Sequence, residues 1–202
     1  MYANETVIIP YRFSDDLKDI PQETKFIIFG QKNANYRTWF NLKIDNLPQN
    51  LITLNFKNGC FDQRIDKLPK NLTKLVLGRH FNRKINNLPK NLIRLTFGEK
   101  FNEEIDKIPK NVQYLKLGWN FQNNIILPKT VENFIITCNN NFINNIPKHI
   151  EKIHVEFDDY NENLNKKVNN LPITIKEIVI KYEHYKEYIK KPVGCVITIK
   201  NT

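Results

Sequence analysis

Residues 97–111 read FGEKFNEEIDKIPKN, and residues 77–91 read LGRHFNRKINNLPKN. Gly, Phe, Asn, Ile and Pro occupy the same slots in both, and the same order continues outward along the chain. Pro21, Pro48, Pro69, Pro89, Pro109, Pro128, Pro147, Pro172 and Pro192 are separated by 27, 21, 20, 20, 19, 19, 25 and 20 residues. A period of about twenty is the mark of a solenoid, in which each repeat buries its apolar side only against its neighbours. The shared pattern is L-x-x-L-x-[FL]-G-x-x-F-N-x-x-I-x-x-L-P-x-x, clearest from Leu51, Leu72, Leu92 and Val112.

Looser copies complete the count. Residues 4–23 carry Val7 and Ile9, then FSDDLKDIP where the clear copies have FNEEIDKIP. The copy opening at Thr24 has Ile27, Phe29 and Gly30, an insert at 31–39, and then FNLKIDNLP. Later copies open at Val131, Ile150 and Ile175, and GCVITIKNT at 194–202 reads as a tenth strand. The expected fold is thus a mainly β or α/β solenoid of about nine coils. Parallel strands would form its concave face, with short 3₁₀ or extended segments on its convex face. A single unit, 1–202, is expected: an N-terminal capping coil (1–23), a coil with an insert (24–50), central repeats (51–174), and a closing coil and strand (175–202).

Each slot has a physical reading. In L-x-x-L-x-F the last two apolar positions alternate and face one side of a strand. Gly78, Gly98 and Gly118 are expected to permit a tight turn after it. Phe61, Phe81, Phe101, Phe121 and Phe142 should stack into an aromatic spine. Next come Ser14, Asn41, Asp62, Asn82, Asn102 and Asn161, residue types that cap short helical turns. Proline would end such a turn. The same side chains could instead form an internal ladder between coils, and both readings are structural.

The run Gly-x-x-Phe-Asn, then Ile and Leu-Pro, resembles the FNIP repeat, a short leucine-rich-repeat variant seen mostly in social amoebae and in giant viruses of protists. The resemblance covers nearly the whole chain and is strongest over 51–128; Pro10 replaces the Gly and Ile143 the Asn at the edges. It implies a non-catalytic interaction scaffold. Members of the family often add an F-box that recruits a ubiquitin ligase, and neither terminus here resembles one.

Composition fits that picture. The 202 residues are 41% apolar and 26% charged, as in a globular chain. No run of eighteen apolar residues suggests a membrane span, and the N-terminus does not read as a secretory signal. Cys60, Cys138 and Cys195 stand singly, which points to a reducing, intracellular and cytoplasmic setting, the host cytoplasm if the protein is viral. His80, His149, His154 and His184 lack zinc spacing, and no phosphate-binding loop or nucleophile elbow occurs. Asp15/Asp16, Glu103/Glu104 and Asp158/Asp159 read as solvated turns. No enzyme activity, cofactor or metal is expected.

The outward strand positions form two columns. One runs Thr6, Phe26, Thr53, Lys74, Arg94, Tyr114, Asn133, Lys152, Glu177; the other Ile8, Ile28, Asn55, Val76, Thr96, Lys116, Ile135, His154, Val179. Lys74, Arg94, Tyr114, Lys116, Lys152 and His154 gather in the middle, and arginine and tyrosine favour binding hot spots. Trp119 is expected to be exposed, in the loop slot of His80 and Lys100, as an anchor or a loop cover. Ile8, Phe26 and Ile28 form an apolar cluster that the insert, through Tyr36 and Trp39, is expected to cover. These residues point to an unidentified protein partner on the concave face.

The formal net charge is +10, and Lys70, Lys90, Lys110, Lys129 and Lys148 follow successive prolines. They would make a positive ridge able to hold a polyanion such as nucleic acid, but no aromatic residues interleave with it. Codon bias towards A/T-rich lysine triplets explains the same residues on an exposed turn. YEHYKEYIKKP spaces Tyr182, Tyr185 and Tyr188 by three and reads as a cap on the last coil. The final strand offers an open edge to a second copy, a route to a homodimer.

Overall fold

The computed structural model describes residues 5–30, 38–57, 59–137, 143, 145–157 and 167–200. Ten short strands form one parallel sheet in chain order. They are β1 (Thr6–Ile9), β2 (Phe26–Phe29), β3 (Thr53–Asn55), β4 (Lys74–Val76), β5 (Arg94–Thr96), β6 (Tyr114–Lys116), β7 (Asn133–Thr137), β8 (Lys152–Glu156), β9 (Glu177–Ile180) and β10 (Val196–Ile199). A return segment joins each strand to the next, so the ten strands make about nine turns of a solenoid.

Strand pairing aligns like with like. Leu54, Leu75, Leu95, Leu115, Phe134, Ile153 and Ile178 sit level in successive strands. Every one of them is fully buried. Behind them runs the aromatic spine: Phe13 to Phe40 at 6.1 Å, Phe40 to Phe61 at 6.2 Å, then Phe61, Phe81, Phe101 and Phe121 at 6.2, 6.0 and 6.0 Å between ring centres. Phe56 and Phe97 stack on it from the strand side at 4.1 and 4.2 Å. Burying each ring contributes about 1.5–3 kcal/mol, and pairing adds about 0.5–1.5 kcal/mol. Phe142 and Asn161 lie outside the described residues.

Two expected roles change, those of Gly and Pro, and the two readings left open for the Asn slot are resolved. The glycines do not serve a left-handed turn: only Gly30 (φ 89°) and Gly194 (φ 77°) have positive φ among the described glycines. Gly78, Gly98 and Gly118 instead let adjacent coils touch, since a Cβ on Gly98 would strike the Gly78 carbonyl and one on Gly118 the Gly98 carbonyl. The Asn slot is a ladder and not a helix cap. Asn41 Oδ1 accepts from the Asp62 N–H at 2.8 Å, Asp62 Oδ1 from Asn82 at 2.9 Å, Asn82 Oδ1 from Asn102 at 2.8 Å and Asn102 Oδ1 from Gln122 at 2.8 Å. Proline does not end a helical turn but opens a β-turn into the next strand. Its carbonyl accepts from the N–H three residues on, as in Leu72 to Pro69 at 3.2 Å, Leu92 to Pro89 at 3.2 Å and Val112 to Pro109 at 3.1 Å.

The ends differ from the middle. Trp39 is 71% and Ile8 57% exposed, so Trp39 does not cover the first coils; Tyr36 lies outside the described residues. At the other end a 3₁₀ helix, Glu183–Tyr188, buries Tyr185 against Phe157 at 4.3 Å and closes the ninth coil. Beyond it β10 pairs with β9 alone, with Val196 58% exposed. Among the described residues no helix is long and apolar enough to cross a membrane.

Candidate functional site

Parallel sheets are usually covered on both faces. Here one face packs on the core, and no described element covers the other. The pairing register reproduces both outward columns: Thr53, Lys74, Arg94, Tyr114 and Asn133 are level, as are Asn55, Val76, Thr96, Lys116, Ile135, His154 and Val179. Val76, Ile135 and Val179 are nevertheless buried, forming an apolar floor among longer polar neighbours.

A groove of about 500 Å³ lies along this face, bordered by residues from Asn55 on β3 to Lys200 beyond β10. Five of the residues singled out by sequence line it: Lys74, Arg94, Tyr114, Lys116 and Trp119. Arg94 lies over the Tyr114 ring, its guanidinium carbon 4.0 Å from the ring centre. Such a contact stabilises by about 0.5–1 kcal/mol at an exposed site. Burial pushes the Tyr114 hydroxyl pKa up, partly offset by Arg94. Lys116 is ion-paired to Glu156 across β7.

Lys152 and His154 stand apart from the groove lining. Lys152 pairs with Glu177 at 2.8 Å, and Thr198 also donates to Glu177 at 2.9 Å. Those two hydrogen bonds, with the lysine charge, hold the Glu177 carboxyl below its ordinary range. The His154 Nε2 is buried and finds no hydrogen-bond partner. Burial first, then Lys152 and Lys200, lower its pKa.

Trp119 is half-buried against the core rather than exposed. Its slot is also different from the one expected. Lys100 N–H donates to the Arg79 carbonyl and Asn120 N–H to that of Glu99, so Trp119 is level with Arg79 and Glu99, not with His80 and Lys100. That slot, directly after the stacked glycines, is the groove rim. Arg79 and Glu99 form an ion pair there at 2.6 Å. Sequence reading overlooked Arg79, Glu99, Lys57, Glu156 and Lys200; the residue after each Gly was the available signal for Arg79 and Glu99, and continued alternation along β8 for Glu156.

The lysine ridge is present as a surface. Lys70, Lys90, Lys110, Lys129 and Lys148 are all exposed at the second position of the Pro turns. The next residue fixes the stack: Asn91 donates to the Lys70 carbonyl at 3.1 Å, Asn111 to Lys90 at 3.1 Å and Thr130 to Lys110 at 2.7 Å. Among the described residues, none of the five ammonium groups is ion-paired. Cys60 and Cys195 are free thiols, whereas Cys138 and the Asp158/Asp159 pair lie outside the described residues. Among the described residues no three His, Cys, Asp or Glu side chains converge as metal ligands.

Residues 61–100 and 101–139 match the FNIP Repeat family. No curated protein matches the sequence. Among solved structures the chain is similar to CroV588, a giant-virus protein described as a novel circular leucine-rich-repeat structure. The TM-score is 0.54 and the identity 20%, over 98% of this chain and 41% of that one. YopM from Yersinia enterocolitica matches at a TM-score of 0.42 and 14% identity, over 97% of this chain and 50% of YopM. The chain thus spans half or less of either protein's length.

Proposed function

We propose, for a chain whose central coils are FNIP repeats stacked into a leucine-rich-repeat sheet, that it is a non-catalytic scaffold binding a protein partner on the concave strand face. Repeat solenoids present extended concave surfaces of this kind, and leucine-rich-repeat folds commonly serve protein interaction. One observation carries the reading: the uncovered sheet holds Arg94 stacked on Tyr114 beside Lys116, a cation and aromatic cluster fixed on rigid backbone. Anchors held this way lose little freedom on binding. The proposed setting is intracellular and cytoplasmic, in accord with free Cys60 and Cys195. The whole of 1–202 is proposed as one solenoid unit, and β10 as an edge along which two copies pair, which sedimentation at rising concentration tests.

The test is affinity capture from cell lysate with wild-type chain and with a variant carrying Ala at Arg94, Tyr114, Lys116 and His154. Nuclease treatment precedes elution. A protein retained by wild type and lost by the variant supports the reading; equal retention by both overturns it.

A second reading rests on the five unpaired lysines of the ridge: binding of a polyanion such as nucleic acid. It requires captured material that disappears with nuclease, affinity that falls steeply with salt, and loss on replacing Lys70, Lys90, Lys110, Lys129 and Lys148 with Gln.

A further inference from the structure

The charges lining the concave groove do not balance. Its two acidic side chains are already engaged: Glu99 with Arg79, and Glu156 with Lys116. Lys57, Lys74, Arg94 and Lys200 line the same groove, and no ion pair holds any of them among the described residues. Four uncompensated positive charges around about 500 Å³ favour an anionic occupant through complementarity. Arg94 has the geometry to select which anion. Its guanidinium carbon sits 4.0 Å from the Tyr114 ring centre, the side chain is exposed, and among the described residues no hydrogen bond or ion pair holds its N–H groups, so the planar fork that meets a carboxylate with two parallel hydrogen bonds remains available.

Resting on the concave-face reading above, we propose that the partner presents an extended segment rich in Asp and Glu, lying in this groove with a carboxylate on Arg94 and further acids towards Lys74 and Lys57. The surroundings favour a peptide over nucleic acid. Bases need exposed aromatic platforms, whereas Tyr114 is occupied by Arg94 and Trp119 packs against the core. The apolar floor of Val76 suits aliphatic stems between the acids. The occupant differs from that of the lysine ridge, whose five lysines sit at the Pro turns outside the groove lining and include no guanidinium fork.

The experiment is random-peptide display on immobilised full-length chain. Enriched peptides are then titrated by fluorescence anisotropy against wild type, Arg94→Ala, Arg94→Lys, Lys74→Ala, Thr96→Arg and the five-Gln ridge variant. Melting temperatures confirm that each variant is folded; Arg94 is solvent-facing, so Arg94→Lys preserves charge and fold while removing the fork. The expected result is an acidic consensus whose affinity falls roughly tenfold or more in Arg94→Ala. The fall is smaller in Lys74→Ala and Arg94→Lys, and the ridge variant binds as wild type.

Enriched peptides without acids, lost when Thr96→Arg fills the groove, would overturn the acidic partner while leaving the concave-face reading intact. Peptides indifferent to every groove substitution would overturn both. Acidic peptides lost only in the ridge variant would move the anion site to the lysines. Displacement of the peptide by oligo(dT) of equal charge at lower concentration would overturn a peptide ligand in favour of nucleic acid.

Discussion

The interior of each coil and its concave face obey different rules. Inside, one residue type recurs from coil to coil: Leu54, Leu75, Leu95, Leu115, or Phe61, Phe81, Phe101, Phe121, all fully buried. On the concave face no residue repeats between neighbours along Thr53, Lys74, Arg94, Tyr114, Asn133 and Lys152. An interior side chain touches its own equivalents above and below, so a shape that stacks on itself is imposed by packing. A concave side chain meets solvent on one side and is free to vary. Variation on an otherwise periodic molecule is therefore where partner specificity can reside. The lysine ridge breaks this division, since it repeats although no packing contact requires lysine there.

The sharpest way to break the comparison is to disturb the spine and the face in parallel. Phe101→Ala, in the middle of the stack, should cost about 3–5 kcal/mol in urea unfolding, because neither Phe81 nor Phe121 can close the gap. Arg94→Ala should cost no more than about 0.5–1 kcal/mol, the loss of its stack on Tyr114. Similar losses at both positions would mean that the face is as structural as the core. Gly98→Ala comes next. Its methyl would meet backbone of the coil before, which cannot rotate away, so about 1–3 kcal/mol of overpacking is expected. An unchanged urea midpoint in Gly98→Ala would show that the coils part here without cost and would remove the close-approach role from the glycines.

Asn102→Ala is milder. It removes the acceptor for the Gln122 N–H at 2.8 Å, but the slot is exposed and water can substitute, so about 1 kcal/mol is expected. Faster amide exchange at Gln122 would locate the loss at the ladder. No change in that exchange rate would show that the ladder does not hold the coils together.

What could be read from sequence follows the same division. The spacing of prolines and the recurrence of Leu and Phe gave coil number, strand positions and the inward faces, because stacking forces identical residues into register. The roles of Gly, Asn and Pro were less legible. Each of these residues has a local use, as turn, cap or stop, and a use between coils, and only three-dimensional stacking distinguishes Gly98 against Gly78 from an isolated tight turn. The site was legible in part. Lys74, Arg94, Tyr114 and Lys116 follow from strand alternation, but the rim residues Arg79, Glu99 and Trp119 lie outside any strand. Lys200, which also borders the groove, follows the last strand. Charge balance was not legible either, since pairs such as Lys116 with Glu156 join residues forty positions apart.

His154 supplies the smallest effect and tests whether a concave position can carry an internal cost. It stands level with Ile135 and Val179, with Nε2 buried and unpartnered. Burial, followed by the charges of Lys152 and Lys200, lowers its pKa below 6.5 against the opposing pull of Glu177 and Glu156. The unfolded chain then takes up a proton near 6.5 that the folded chain still refuses, so in that window the unfolded state binds more protons. Stability is fully present above the unfolded value and is lost as pH falls from there towards the depressed folded pKa, below which this contribution levels off. Urea unfolding at about pH 7.5 and about pH 5.5 should show lower stability at the acidic value, and His154→Gln should remove part of that difference. The variant lacks the titrating group but keeps a polar side chain of similar reach. An identical acid loss in His154→Gln would place the titration elsewhere and leave His154 free to vary, like its neighbours in the column.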